Sequence, residues 1–310
     1  MLNTEEINFP FLRVLFECRV TGPMLYFTQR RGETIKGLIA REMKKLFPCS
    51  NQAPCERCKL VDKPSDCEYV RFFRYDLSHN PFQYVIIPPL NSRSIYYNNE
   101  TFSFEIRLFG ECARFEYLLK YLAPAIEQGG LLSGIGTWYK EKEQHFGRFQ
   151  LSGIYAWRVD QWIKIFQEKE GFVADRITPQ SFREQFGSTD KEYNEILFYT
   201  PYCLRKSKEI IPEPTLDDIL YFSIMRLRSV YGDRKIRIAD DLCESAASVT
   251  PVASAFEKTF SAKQLSYHIG HLKFDKLPQP LYPLLELGGF CHIGKATTQG
   301  YGGFFLVPAQ

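Results

Sequence analysis

Leu122-Ala-Pro-Ala-Ile-Glu-Gln-Gly-Gly130 and Leu281-Tyr-Pro-Leu-Leu-Glu-Leu-Gly-Gly289 share Leu, Pro, Glu and the closing Gly-Gly, five of nine positions, at an offset of 159 in a chain of 310 residues. That offset is close to half the chain, so the match constrains the fold more than any other feature. A glycine-bearing loop follows each copy. It is Gly134-Ile-Gly136 in the first half and the stretch His292–Phe305, HIGKATTQGYGGFF, in the second. Each loop runs into a β-like segment, Arg148–Ile154 and Gly303–Val307. The same order of helix, glycine loop and strand on both sides reads as duplication.

Periodicity fills in the rest of each half. Phe11–Thr21 alternates like a strand, and Glu33–Phe47 places Ile35, Leu38, Ile39, Met43 and Leu46 at helical spacing. Thr101–Phe109 alternates Phe102, Phe104, Ile106 and Leu108 as a half-buried strand, and Phe115–Gln128 reads as a helix ending at Gly129. In the second half Ile196–Leu204 and Gln264–Phe274 are strand-like, Leu216–Tyr231 is a helix, and a short helix runs from Pro280 to Leu287. Two β-α-β-β-α-β units in tandem account for this order with short connections. The expected class is therefore α+β, two tandem ferredoxin-like domains with a C-terminal glycine-rich loop. The first covers 1–158 with a cysteine-rich insert at about 48–68, a polar connector covers 159–194, and the second domain covers 195–310. The 26 Phe and 18 Tyr suit such sheets.

Charge and cysteine usage narrow the chemistry. A net charge of +3 permits nucleic-acid binding without demanding it, so what matters is where cations concentrate. Arg30, Arg31, Lys36, Arg41, Lys44 and Lys45 crowd the first predicted helix, and Arg226 and Arg228 lie on the helix of the second half. For a single run, a solvated helix face is the better reading. Cys49, Cys55, Cys58 and Cys67 are spaced C-x5-C-x2-C-x8-C, which suits a closed structural zinc site; a disulfide pair or free thiols is the alternative. No apolar run spans a bilayer, and MLNTEEINFPFLRV lacks the basic start and apolar core of a signal peptide, so a cytoplasmic location is expected.

The glycine loop suits a phosphate through backbone N–H groups, hydroxyls and a Lys, or else it is a hairpin turn between buried strands. Together with the helix Leu281–Gly289, His292-Ile-Gly-Lys295, the basic segment Gly32–Lys45, Asp66–Phe73 after the cysteines, and the order of Pro81–Pro89, Phe104–Cys112 and Gly129–Leu151, it resembles a known family. That family is the CRISPR-associated RAMP-superfamily endoribonucleases that cut precursor CRISPR RNA, the Cas-six family, in its branch with a four-cysteine insert. The resemblance implies a protein that binds CRISPR repeat RNA, precursor and mature, and cleaves it without a catalytic metal. The ribose 2′-OH attacks the neighbouring phosphate and leaves a 2′,3′-cyclic phosphate and a 5′-OH. A CRISPR effector complex is a further partner on this reading; DNA and membrane are not required.

Such chemistry needs a base, an acid and cations around the phosphorane. The family often places a histidine on the first helix, yet 23–51 holds none. Of the five histidines, His292 beside the glycine loop comes first as acid or base, against a structural role in fixing the loop. His145, in a basic hairpin, comes second. Tyr26 and Lys36 stand where a phenol and an ammonium would assist, although both ordinarily titrate far from neutrality. RNA contacts are expected from Gly294, Lys295, Thr297, Thr298, Gly300, Tyr301 and Gly302, with Arg30, Arg31, Arg41, Arg226 and Arg228 adding attraction. The rivals are an RNA-binding subunit of the same superfamily without cleavage and a phosphate-binding metabolic enzyme. No Walker or Rossmann fingerprint supports the latter.

Overall fold

Pro10–Val20 buries alternate side chains along its length, as a strand with one face on a core must. The computed structural model describes residues 7–46, 67–73, 82–140, 143–173, 177–186, 191–231, 240–262 and 265–309. The chain divides into two units, Phe11–Pro179 and a second that joins Met1–Pro10 to Gln180–Gln310.

In the first unit β1 (Pro10–Val20), β2 (Met24–Tyr26), α1 (Arg31–Leu46), α2 (Glu68–Phe73), β3 (Tyr84–Ile87), β4 (Ile95–Tyr97) and β5 (Thr101–Phe109) precede α3 (Ala123–Gln128). Then come β6 (Ile135–Lys140), β7 (Glu143–Gly147), β8 (Phe149–Arg158), β9 (Gln161–Gln167) and β10 (Gly171–Phe172). The main sheet runs β10–β9–β8–β1–β5–β3, with Phe16 opposite both Phe104 and Ile154. Its inner part, β8–β1–β5–β3, is the fourth-first-third-second strand order of a ferredoxin-like unit. α1 buries Ile35, Leu38, Ile39 and Met43, the apolar positions that the 3.6-residue period singled out. The helix of the repeat does not stop at Gly129. It continues through a π-helical turn, Gly129–Ser133, closed by Gly134 N–H to the Gly129 carbonyl at 2.7 Å. Gly134, at φ +67°, ends it.

The stretch expected as a connector contributes β9 and β10 to this sheet. Within β9 only Ile165 is buried, so a strand covered on one residue left little periodicity to detect. On the face away from the helices Arg13 lies 4.7 Å from the centre of the Trp157 ring and 5.2 Å from that of Trp162. Arg13 and Arg107 each donate through Nε to Glu105, at 2.7 and 2.8 Å. Burial opposes ionisation of Glu105, but the two guanidiniums outweigh it and hold the carboxyl at about 2. A carboxyl depressed in the folded state stabilises the fold above its unfolded pKa and loses that contribution as pH falls. Of order 3 kcal/mol should therefore disappear between about pH 4.5 and pH 2. Thermal unfolding of wild type and Glu105→Gln across that window tests this: the two curves converge at low pH if Glu105 is responsible and stay parallel if it is not.

The second unit repeats the plan with β11 (Tyr193–Phe198), α4 (Leu216–Tyr231), β12 (Ala253–Ala262), β13 (Leu265–Lys273), α5 (Tyr282–Cys291) and β14 (Phe304–Pro308). Its sheet is β12–β13–β11–β14, again second-third-first-fourth. The strand expected at 196–204 is β11, three residues earlier, and β12 adds a strand whose mostly exposed side chains carry no clear alternation. Residues 7–9 belong to this unit. Phe9 stacks on Phe182 at 4.7 Å, and Asn8 N–H donates to the Tyr231 hydroxyl at 2.7 Å.

The repeat has a shared physical reason. A Cβ on Gly129 would lie 2.8 Å from the Leu38 side chain of α1, and one on Gly288 would lie 2.1 Å from Ser223 Oγ of α4. A Cβ on Gly130 would lie 2.5 Å from the Phe149 carbonyl oxygen, and one on Gly289 would lie 2.3 Å from that of Phe304. Phe149 and Phe304 open the fourth strand of their units. In both halves the first glycine admits the first helix and the second admits the fourth strand.

No helix of the described residues is long and apolar enough to cross a membrane. Cys49, Cys55 and Cys58 lie outside the described residues, so the zinc expectation falls there. Cys67, buried just before α2, is described, and among the described residues no group of three or more His, Cys, Asp or Glu side chains could hold a metal ion.

Candidate functional site

The glycine loop of the second unit begins where α5 ends, at His292, whose φ of +61° is rare for a side-chain-bearing residue. Gly294, Gly300 and Gly302 have φ of +86°, +84° and +81°. A Cβ on Gly302 would stand 1.9 Å from the Ile293 carbonyl oxygen, and one on Gly294 2.6 Å from that of Cys203. These glycines let the loop close on the protein's own backbone. Lys295 N–H donates to the Cys203 carbonyl at 2.9 Å, Gly300 N–H to Thr297 at 2.9 Å and Gly302 N–H to Pro201 at 2.8 Å. The expectation that these amides cradle phosphate is therefore corrected: their hydrogens are already donated inside the fold.

Side chains of the loop divide into two groups. Lys295 is exposed and Thr297 half-buried, so both reach the surface. Thr298 and Tyr301 are buried, at 5% and 7% exposure, with the Tyr301 ring 4.7 Å from that of Tyr267 and 5.8 Å from that of Phe260. Arg226 is also buried, its Nε donating to the Cys291 carbonyl at 2.9 Å at the end of α5. Thr298, Tyr301 and Arg226 thus hold the loop and helix in place, contrary to the expected RNA contact. Arg228, one turn-face away, is half-buried beside the Met225 sulfur.

His292 is fully buried. Its Nδ1 lies 3.2 Å from the Tyr301 carbonyl oxygen, which can only accept, so Nδ1 carries the hydrogen and Nε2 accepts from the Tyr199 hydroxyl at 2.8 Å. Gly303 makes room for this pair: a Cβ there would sit 2.6 Å from His292 Cε1 and Nε2 and 2.7 Å from Tyr199 Cζ. The geometry suits an imidazole that positions Tyr199 and the loop more than one that meets a substrate.

In the first unit the cations of α1 differ in their availability. Arg30 pairs with Glu33, and Arg31 donates to the carbonyls of Pro89 and Asn91, at 2.8 and 2.5 Å, so the Arg31 fork is used to hold that turn. Arg41 and Lys45 surround Glu42, a carboxylate 1% exposed that also accepts from Ser133 at 2.7 Å. Burial opposes ionisation of Glu42, but hydrogen bonds from Lys45, Ser133 and Arg41 prevail and keep it below its ordinary value. Arg41 also lies 3.4 Å from the Gly134 carbonyl, which ties this cluster to the glycine turn of the first repeat. Glu42 and Ser133 were missed from sequence because a lone Glu among lysines reads as one more surface charge.

Lys36 is half-buried, its Nζ 5.0 Å from the centre of the Phe82 ring and 5.9 Å from that of Tyr84. Burial lowers its ammonium to about 8, with Glu33 opposing the shift. Tyr26, half-buried at the end of β2, pairs with Ile95, and a Cβ on Gly136 would lie 1.9 Å from its carbonyl oxygen. His145 lies on β7, paired with Trp138 on β6.

Comparison with known proteins accords with this arrangement. The family model AF_1859_N, an N-terminal domain, matches residues 9–180, more than half of the chain. The model of CRISPR-associated endoribonuclease Cas6 matches residues 196–304, which hold α5 and most of the glycine loop. No curated protein matches the chain. Among solved structures, the chain is similar to one chain of a partial Cas6-RT-Cas1–Cas2 complex, with a TM-score of 0.58 at 10% identity over 97% of this chain and 46% of that one. It thus spans less than half of that larger chain. A Cas6 product complex gives 0.56 at 13% identity over 96% of this chain and 99% of the other. Thermus thermophilus Cas6 gives 0.52 at 13% identity with the same coverage. At these identities the likeness is one of fold, and the fold is the tandem ferredoxin-like one expected from the repeat. Over residues 196–304 the chain belongs to the CRISPR-associated Cas6 endoribonuclease family, and over residues 9–180 to that of the AF_1859_N domain.

Proposed function

We propose that this protein binds CRISPR repeat RNA and cuts it once, by attack of a ribose 2′-OH on the adjacent phosphorus. The 2′ oxygen loses its proton and bonds to phosphorus, the bond from phosphorus to the 5′ oxygen breaks, and that oxygen takes up a proton. The products are a 2′,3′-cyclic phosphate and a 5′-OH. The observation that carries the reading is the match of the Cas6 endoribonuclease model to the segment that holds the glycine loop. Lys36 would supply the cation, and the proton for the leaving oxygen, because burial brings its ammonium to about 8. Tyr26 would assist at the phosphate, and Lys295, Thr297, Arg41 and Arg228 would hold the RNA backbone. His292 serves as a positioning residue in this scheme.

One observation favours the alternative of an RNA-binding subunit that does not cut: α1 carries no histidine, and His292 is buried with both ring nitrogens engaged. End-labelled repeat RNA incubated in EDTA, beside the same RNA with one 2′-deoxyribose at the cut position, separates the two. A single cut that survives EDTA and vanishes with the deoxy sugar is expected. Tight binding without a cut would establish the non-cleaving subunit, and RNA neither bound nor cut would remove the family function from this chain.

A further inference from the structure

The second sheet has one face under α4 and α5, and on the other face Leu197 and His271 are half-buried while Phe305 is exposed. Ile196, Phe198, Leu272 and Phe304 are buried on the helix side. On the other side Phe305 stands opposite Leu197, and Leu197 opposite His271, in one row across β14, β11 and β13. Phe305 is 46% exposed although it belongs to the strand that closes the sheet. The Tyr199 ring lies against it, with centroids 5.9 Å apart and planes 23° from parallel.

Tyr199 is half-buried, and its ring is held in one orientation. Its hydroxyl is bonded to buried His292, whose backbone sits at φ +61°, a conformation that persists only where the surroundings enforce it. Gly303 leaves the space that both rings occupy. Strain, a glycine and a buried imidazole thus converge on the orientation of one aromatic ring at a surface. The neighbouring row sets Glu195 against Lys273 and so carries opposite charges, which suits an uncharged flat group better than a phosphate.

We propose that Tyr199 and Phe305 form a stacking platform for one unpaired base of the RNA, with His292 locking the Tyr199 ring. Every base has a π face, so such a platform anchors a single-stranded flank without selecting its sequence. The inference rests on the RNA reading above and adds to it a place for a base that the phosphate contacts do not supply.

The test is binding of end-labelled single-stranded repeat RNA, intact and with an abasic residue at each successive position, to wild type, Phe305→Ala, Tyr199→Leu and Tyr199→Phe. Phe305→Ala and Tyr199→Leu should each weaken binding about tenfold. Wild type should be sensitive to the abasic residue at one position, and these two variants should lose that sensitivity. Tyr199→Phe, which keeps the ring and removes the bond to His292, should fall between. Phe305 is a surface residue, so Phe305→Ala should melt as wild type does, which keeps the measurement independent of folding. If wild type binds RNA and Phe305→Ala binds equally, with the same abasic profile, the platform is overturned while the RNA reading stands. If wild type binds no RNA at any salt concentration, the RNA reading falls and takes the platform with it.

Discussion

Gly289→Ala should destabilise the second unit by about 3 kcal/mol or more, because the new methyl would lie 2.3 Å from the Phe304 carbonyl oxygen. Backbone is the obstacle here, so no rotamer change relieves it. The helix must move away from β14, or β14 must leave the sheet. Gly130→Ala should do the same to the first unit, where the carbonyl of Phe149 stands at 2.5 Å. Gly37→Ala, on α1 with nothing within 4 Å of its added carbon, is the matched control and should be neutral or stabilising by about 0.5–1 kcal/mol. Urea unfolding followed by far-UV circular dichroism reads all three. Equal midpoints for Gly289→Ala and Gly37→Ala would show that the α5–β14 contact has the slack that these distances deny it.

The second large effect concerns cleavage. Lys36→Met should slow it by about 100- to 1,000-fold with RNA affinity little changed, if the ammonium acts at the leaving oxygen. The pH profile carries the sign. A lysine lowered to about 8 is charged below that pH and neutral above it, so wild-type single-turnover cleavage should decline as pH rises through about 8. Lys36→Arg keeps the charge at every accessible pH, so it should lose the decline even if it cuts slowly. A Lys36→Met enzyme cutting at the wild-type rate, or a wild-type profile flat from pH 7 to 9, would remove Lys36 from the chemistry.

The architecture was open to reading because the elements at the centre of each sheet have one buried face and hence a period. β1, β5, α1 and α4 fall within a few residues of the ranges read from sequence, and β5 and α4 coincide with them. The Gly-Gly repeat was legible for a stronger reason: two unrelated neighbours, a helix and a strand, exclude a side chain at the same two positions. β9 and β12 escaped detection because strands with few buried residues have no alternation to offer. Site residues were harder. A loop rich in glycine, threonine and lysine looks the same whether its amides face a ligand or the protein, and only tertiary contacts decide. Thr298, Tyr301 and Arg226 turned inward for that reason, while Tyr199, just past β11, and Phe305 of β14 are ordinary aromatics with no local signal to set them apart.

The stacking of Phe9 on Phe182, in a unit otherwise made from residue 180 onward, has a consequence for synthesis. Residues 7–9 leave the ribosome well before the partners that bury them, since Phe182 and Tyr231 emerge about 170 and 220 residues later. At about 5–20 residues per second that is a wait of roughly ten seconds to three-quarters of a minute. The sheet they accompany is complete only when β14 reaches β11. The unit that holds the glycine loop is therefore assembled from segments made far apart in translation, and a fusion placed ahead of Ile7 would burden that unit rather than the one whose sequence it adjoins.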